Sequence, residues 1–267
     1  MKKNNKVLLT NLSRRLTALL DIAPLNAHVQ TSLSDVFRWG SVRESWWRCW
    51  LFSDRRLRKQ SDLQHSYAMT ILLQWAIAKL AKHNPDLDRY LVICCGADHD
   101  LGEGETKNDV CALTKRREVD VREYFAFRKV IDKFDLAVRE DMARAFLLQF
   151  ADVNKDQRVE DWALFPSEAQ DILEWLAENR RLEARIFRYL ERLEYILYAI
   201  EQANLYGNFH LAAEVTSKNA GYVFISHQED MERACQLIPG FREEIWTLEI
   251  QETISEFIQA YNQKAAP

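Results

Sequence analysis

The amino-acid sequence predicts an all-α fold. Only 7 glycines and 5 prolines occur among 267 residues, whereas β-sandwiches, barrels and glycine-rich nucleotide-binding folds need frequent tight turns. Apolar residues recur at helical spacing along most of the chain, and only residues 222–225 are typical of a strand. Because 48% of the residues are hydrophobic, the chain can bury a sizeable core. We therefore expect one helical domain over residues 1–267.

Four segments carry the clearest helical signals. Residues 64–82 place apolar side chains on one stripe that starts at His65, as in an amphipathic helix. Residues 183–205 are apolar on more than one side, which is typical of a helix in the middle of a bundle. Residues 226–229 form a Ser-His-Gln-Glu capping box that predicts the start of another helix. Residues 241–262 predict an amphipathic closing helix.

Charge and cysteine content exclude several classes of protein. The chain has 36 basic and 40 acidic residues, a net charge of −4 and a pI near 5.9, so no basic field favours nucleic acid or an anionic membrane as a partner. The 5 cysteines contain no C-x-x-C pair and predict neither a disulfide framework nor a zinc ribbon. No apolar stretch approaches the roughly 20 residues that span a bilayer, and no signal-peptide pattern is present. We expect a cytoplasmic protein.

Two histidines lie in surroundings that favour metal binding. His65 belongs to the apolar stripe of its predicted helix, and His99 follows a hydrophobic run and precedes Asp100 directly. Alone, His65 is typical of a hydrogen-bonded core histidine, and the His99–Asp100 pair is compatible with a helix C-terminus. Together, on two antiparallel helices that return to one point, neutral imidazoles and a carboxylate predict a divalent cation site.

This pattern resembles the signature of the HD-domain metal-dependent phosphohydrolases. The run from His99 to Glu103 is similar to the HD-x-x-E form of the 5′-deoxynucleotidases of the bacterial nucleoside-monophosphatase type and their eukaryotic relatives. Arg38, Trp39 and Arg43 resemble an R-W-x-x-x-R segment of the family. Residues 183–201 resemble the family helix that carries the last metal ligand. The resemblance covers about residues 30–205 and is more specific than an isolated H…HD pattern.

The resemblance implies an HD-type helical bundle that holds one divalent metal ion, with Mn, Co, Zn, Fe or Mg as candidates. Glu103 would act as general base or orient the attacking water, and later donate a proton to the leaving alcohol, and Asp109 would serve as a second acid or position the sugar. A guanidinium would bind phosphate oxygens at Arg38, and an indole would form an apolar wall for the nucleoside at Trp39. The implied metal ligands are His65, His99, Asp100 and Glu191.

The sequence departs from the family pattern at two positions. The last metal ligand of the family is an aspartate, whereas Glu191 stands at the matching position and carries one more methylene. The acidic residue expected five positions after Glu103 is replaced by Asn108, with Asp109 next. We interpret this as a one-residue insertion that leaves Asp109 in the role.

The predicted function is removal of phosphate from nucleoside 5′-monophosphates, with a small nucleotide as the substrate. Two alternatives stay open. The same scaffold could act on a nucleoside triphosphate or a cyclic nucleotide, because it does not fix the leaving group. A degenerate member could bind a nucleotide or a partner without turnover, as Glu191 suggests. The C-terminal helical extension, about residues 206–267, could cover the pocket or form a homodimer.

Overall fold

A computed structural model describes residues 3–20, 61–106, 116–132, 134–207, 209–217 and 227–263. All regular secondary structure in these ranges is helical, which confirms the predicted all-α class. The strand-like residues 222–225 lie outside the described residues. The elements, numbered in chain order, are α1 (Lys3–Leu19), α2 (Asp62–Leu80), α3 (Arg89–Asp98), α4 (Leu101–Thr106), α5 (Arg117–Ile131), α6 (Leu136–Leu147), a 3-10 helix (Leu148–Phe150), α7 (Lys155–Trp162), α8 (Ser167–Asn179), α9 (Arg181–Tyr206), α10 (Phe209–Thr216), α11 (Gln228–Leu237), α12 (Phe241–Glu244) and α13 (Leu248–Asn262).

Helix α9 is the centre of the bundle. It packs against α1, α2, α3, α8, α10 and α11, and its residues Leu190, Leu193 and Leu197 are fully buried. The helix ends at Gly207, whose φ of 67° places it in the left-handed region that favours glycine at a helix C-terminus. The prediction of a central buried helix is thus confirmed. In the described part of the chain, no helix is long and apolar enough to cross a membrane.

The start of α2 is fixed by a capping box. The Ser61 hydroxyl accepts a hydrogen bond from the backbone N–H of Gln64 at 3.0 Å, and the Gln64 side chain accepts one from the backbone N–H of Ser61 at 2.9 Å. These two bonds satisfy donors that a helix N-terminus leaves without an intrahelical partner. His65 therefore lies in a well-defined first turn, and its side chain is buried.

The C-terminal helices differ from the sequence prediction in two details. α11 begins at Gln228 with His227 as its N-cap residue, one residue later than predicted, and Ser226 lies outside the described residues. The single closing helix predicted over residues 241–262 is wrong, because the chain forms α12 and then α13. The break buries the Trp246 indole completely, and the Thr247 hydroxyl caps the new helix through the Ile250 N–H at 3.4 Å.

One apolar core extends from α1 to α13. It includes Met231, Phe241 and Trp246 from the segment after α9. A smaller cluster joins α1, α10 and α13, with Leu9 and Phe257 among its members. The helices after α9 therefore pack into the same core as the helices that carry His65 and His99.

Glu201 on α9 predicts how stability depends on pH. Its side chain is buried, and burial raises the pKa of its carboxyl from 4.5 to about 7. Below about pH 4.5 the carboxyl is protonated in both the folded and the unfolded chain. Between about pH 4.5 and pH 7 it ionises only in the unfolded chain, so the free energy of unfolding falls as pH rises. We expect wild type to lose about 1–2 kcal/mol more stability than Glu201→Gln between about pH 5 and pH 8, measured by urea denaturation. Glu252→Gln, at an exposed position of α13, is the control, and equal pH dependence in wild type and Glu201→Gln would contradict the prediction.

Candidate metal centre

Two helices bring three candidate ligands together. His65 lies in the first turn of α2, His99 is the C-cap residue of α3, and Asp100 follows it. One ligand atom from each lies within 4.8 Å of the other two. The three residues, here named the His–His–Asp group, are 0%, 4% and 9% exposed. This buried group could hold a metal ion.

Hydrogen bonds fix the orientation of both imidazoles. Nδ1 of His65 lies 3.1 Å from Oε2 of Glu194 and donates to that carboxylate, while its Nε2 lies 3.9 Å from Oδ2 of Asp100. Nδ1 of His99 donates to the carbonyl oxygen of Gly96 at 3.1 Å. Its buried Nε2 lies 3.3 Å from Oδ1 of Asp100 without the geometry of a hydrogen bond. Since the Nδ1 atoms act as donors, the Nε2 lone pairs point towards the carboxylate, as metal-ligating histidines require.

Packing restrains the same two rings. The His65 and His99 rings meet edge to face, with centroids 5.2 Å apart. Phe187 packs against His99 at 5.1 Å and Tyr195 stacks on His65 at 6.2 Å, both from α9. The Gln149 amide donates to the backbone carbonyl of His99 at 3.2 Å. A site held on three helices in this way is largely formed before any ligand binds.

Glu103, the predicted general acid and base, lies on the short helix α4 immediately after the His–His–Asp group. Its backbone N–H donates to the carbonyl of Asp100 at 3.0 Å, and its side chain is buried. α4 packs closely against α5 at Gly102, where an added Cβ would lie 2.3 Å from the backbone oxygen of Glu123. The packing of α4 against α5 therefore fixes the backbone of Glu103, three residues after Asp100.

Glu191 does not join the His–His–Asp group in the described part of the chain. Its side chain is 20% exposed, and its Oε2 lies 3.9 Å from Nη1 of Arg192. Burial raises the pKa of the Cys95 thiol on α3, and the charges of Asp98 and Glu191 raise it further. The role of Glu191 as a metal ligand stays a prediction. Arg38, Trp39 and Asp109 lie outside the described residues, and their predicted roles stay predictions as well.

The sequence interpretation missed Glu194 as a site residue. It is completely buried and interrupts the apolar stripe of α9 between Leu190 and Leu197. A lone carboxylate on an apolar helix face is costly to bury unless a partner is present, and this was the available signal. The partner is His65, on a helix far away in the sequence.

The segment after α9 also reaches this region. His227 also stacks on Tyr195, with ring centroids 5.3 Å apart, and its Nδ1 lies 3.3 Å from Oδ2 of Asp230. Burial lowers the pKa of His227 against the raising effect of that hydrogen bond. Burial opposes ionisation of Asp230, but the hydrogen bond with His227 and the charges of Arg192 and Arg188 outweigh it and lower the Asp230 pKa. At neutral pH this pair is a neutral imidazole beside a carboxylate.

Comparison of the chain with protein-family models, with curated proteins and with solved structures finds no match. The resemblance to the HD-domain phosphohydrolases therefore stays a prediction from the motifs.

Proposed function

We propose that this protein is a metal-dependent phosphohydrolase that releases phosphate from nucleoside 5′-monophosphates. The observation that carries the proposal is the buried His–His–Asp group, in which the Nε2 atoms of His65 and His99 lie 3.9 and 3.3 Å from the carboxylate oxygens of Asp100. Imidazole nitrogens and a carboxylate form a common donor set for divalent metal ions in hydrolytic sites.

The chemistry of the donors favours a transition metal. Imidazole suits Zn and Fe, whereas Mg prefers a site made of oxygen ligands and water. Two histidines and one aspartate leave room for further ligands, and we propose Glu191 of α9 as the fourth. A bound divalent ion supplies positive charge that polarises a phosphoryl group and acidifies water.

The residues of the chain have distinct tasks in this proposal. Glu194 and the Gly96 carbonyl hold His65 and His99 with their Nε2 lone pairs towards the site. Glu103 accepts the proton of the attacking water and then returns a proton to the leaving alcohol. Burial of the group excludes bulk water, so charges act on the substrate with little screening.

The test combines metal analysis with a substrate panel. We expect protein stripped by a chelator to rebind Mn, Co, Zn or Fe stoichiometrically and to release phosphate from at least one nucleoside 5′-monophosphate. His99→Ala should lower metal affinity at least about hundredfold, because it removes a direct ligand, and should abolish phosphate release. His83→Gln is the matched control, because His83 lies outside the group beside Glu244 and should leave both unchanged.

Each outcome decides between the open alternatives. Activity that survives both the chelator and His99→Ala would exclude the metal-dependent mechanism. Stoichiometric metal with no hydrolysis of monophosphates, triphosphates or cyclic nucleotides, measured on the nucleotide products, would indicate a binding protein without turnover. In Glu191→Ala, which removes the carboxylate, loss of metal affinity would identify Glu191 as a working ligand, whereas unchanged affinity would remove it from the proposed ligand set.

A further inference from the structure

Three arginines of α9 surround one carboxylate. Nε of Arg181 and Nε of Arg185 lie 3.4 and 3.1 Å from Oδ1 of Asp152, and Nη1 of Arg188 lies 3.6 Å from its Oδ2. Asp152 follows the 3-10 helix, and its side chain is 9% exposed. These four residues are here named the arginine cluster.

The arginine cluster carries more positive charge than its carboxylate can neutralise. One Asp152 carboxylate balances one of three guanidinium groups, and the remaining like charges repel each other at this separation. The charge of Arg188 also lowers the pKa of Asp230, but Asp230 already has His227 as its hydrogen-bond partner. An additional anion would therefore relieve repulsion within the cluster.

Donors that an anion could use are present in the cluster. Nη2 of Arg181 donates to the Asn154 side chain at 3.0 Å and Nη1 of Arg188 to the Asp152 carbonyl at 3.3 Å. Arg185 uses only its Nε, so its two terminal nitrogens make no hydrogen bond within the described ranges of the chain. The side chains of Arg181, Arg185 and Arg188 are 34%, 22% and 45% exposed, so a solute can reach them.

The cluster is separate from the His–His–Asp group but close to it in the fold. Phe187, which packs on His99, precedes Arg188 on α9. Gln149, which donates to the His99 carbonyl, lies one turn before Asp152 in the same segment. The arginines thus occupy a neighbouring face of α9. None of the residues of the arginine cluster is a ligand of the proposed metal site.

We propose that Arg181, Arg185 and Arg188 form a binding site for the phosphate group of a small phosphorylated molecule. Planar guanidinium groups bind phosphate oxygens through paired N–H donors, and three of them from consecutive turns of one helix present such donors side by side. Asp152 holds the three side chains in place and competes with the anion for them. The site needs neither metal nor catalysis.

The test measures binding of inorganic phosphate by calorimetry to the full chain with a chelator present, and to His99→Ala under the same conditions. We expect saturable binding of one phosphate in both cases. Arg185→Ala and Arg188→Ala should each weaken binding at least about tenfold, since each removes a charge-assisted hydrogen bond. Asp152→Asn should tighten binding, because it removes the competing negative charge.

Arg144→Ala is the matched control. Arg144 is 43% exposed on α6 and pairs with Glu140 and Asp141, so its loss changes the net charge equally and should leave phosphate affinity unchanged. Absence of saturable binding in the wild type, or equal weakening by Arg144→Ala, would overturn the proposal. Because binding is measured without metal, failure of the proposed phosphohydrolase activity leaves this result unaffected. Should Asp152→Asn fail to fold, the Arg188→Ala comparison still decides the question.

Discussion

Glu103→Gln is expected to lower kcat for phosphate release by about 10²- to 10⁴-fold, the usual contribution of a positioned general acid and base. The amide keeps the size of the side chain and the backbone bond between Glu103 and Asp100, but it cannot accept the proton of an attacking water. Because the His–His–Asp group stays intact, bound metal should be unchanged. The measurement is phosphate release with saturating metal, together with metal content of the same sample.

Two controls make this result specific. Glu118→Gln, at an exposed position in the first turn of α5, changes the same functional group away from the site and should leave kcat unchanged. Equal activity of Glu103→Gln and wild type would remove Glu103 from the mechanism. Loss of metal together with loss of activity would instead identify Glu103 as part of the metal site.

Gly102→Ala is expected to destabilise the protein by about 2–3 kcal/mol and to abolish activity. The new Cβ would lie 2.3 Å from the backbone oxygen of Glu123 and 2.9 Å from its carbonyl carbon. Backbone atoms of a packed helix cannot rotate away as a side chain does, so α4 must separate from α5. Glu103 would move with α4, away from its position beside Asp100. Denaturant unfolding and phosphate release measure the two effects.

Gly96→Ala is the matched comparison for this substitution. Its Cβ would meet Cδ1 of Leu73 at 2.5 Å, which is the end of a side chain that can change rotamer. We expect a smaller loss of stability than for Gly102→Ala. If the two variants are equally stable, the contact between Gly102 and α5 does not set the position of α4.

Local patterns predicted the helices well and predicted the breaks poorly. Periodicity identified α2 and α9, because a helix that packs on the core shows its apolar face in the sequence. The break between α12 and α13 was missed, since residues 241–262 keep the helical period across it. The burial of Trp246 depends on the surrounding helices, and no local pattern reports it.

The candidate site divides in the same way. His65, His99 and Asp100 were predicted as one group from the motif, and the structure brings them together. Glu194 was missed, because its partner is a ring nitrogen on α2 and the pairing depends on the register between two helices distant in the chain. Glu191 was favoured from the motif, whereas the side chain that contacts His65 lies almost one helical turn further along α9.

Helix α9 joins the two halves of the centre through one rigid element, with Phe187 against His99 and Tyr195 against His65. Each residue added or deleted between these positions would turn everything beyond it by about 100°, since a helix has 3.6 residues per turn. Glu194 would then face solvent or the wrong neighbour. Natural variants should therefore accept length changes in the loops but none within residues 187–195. In a library of single-codon insertions, we expect no functional variant with an insertion in these roughly two helical turns.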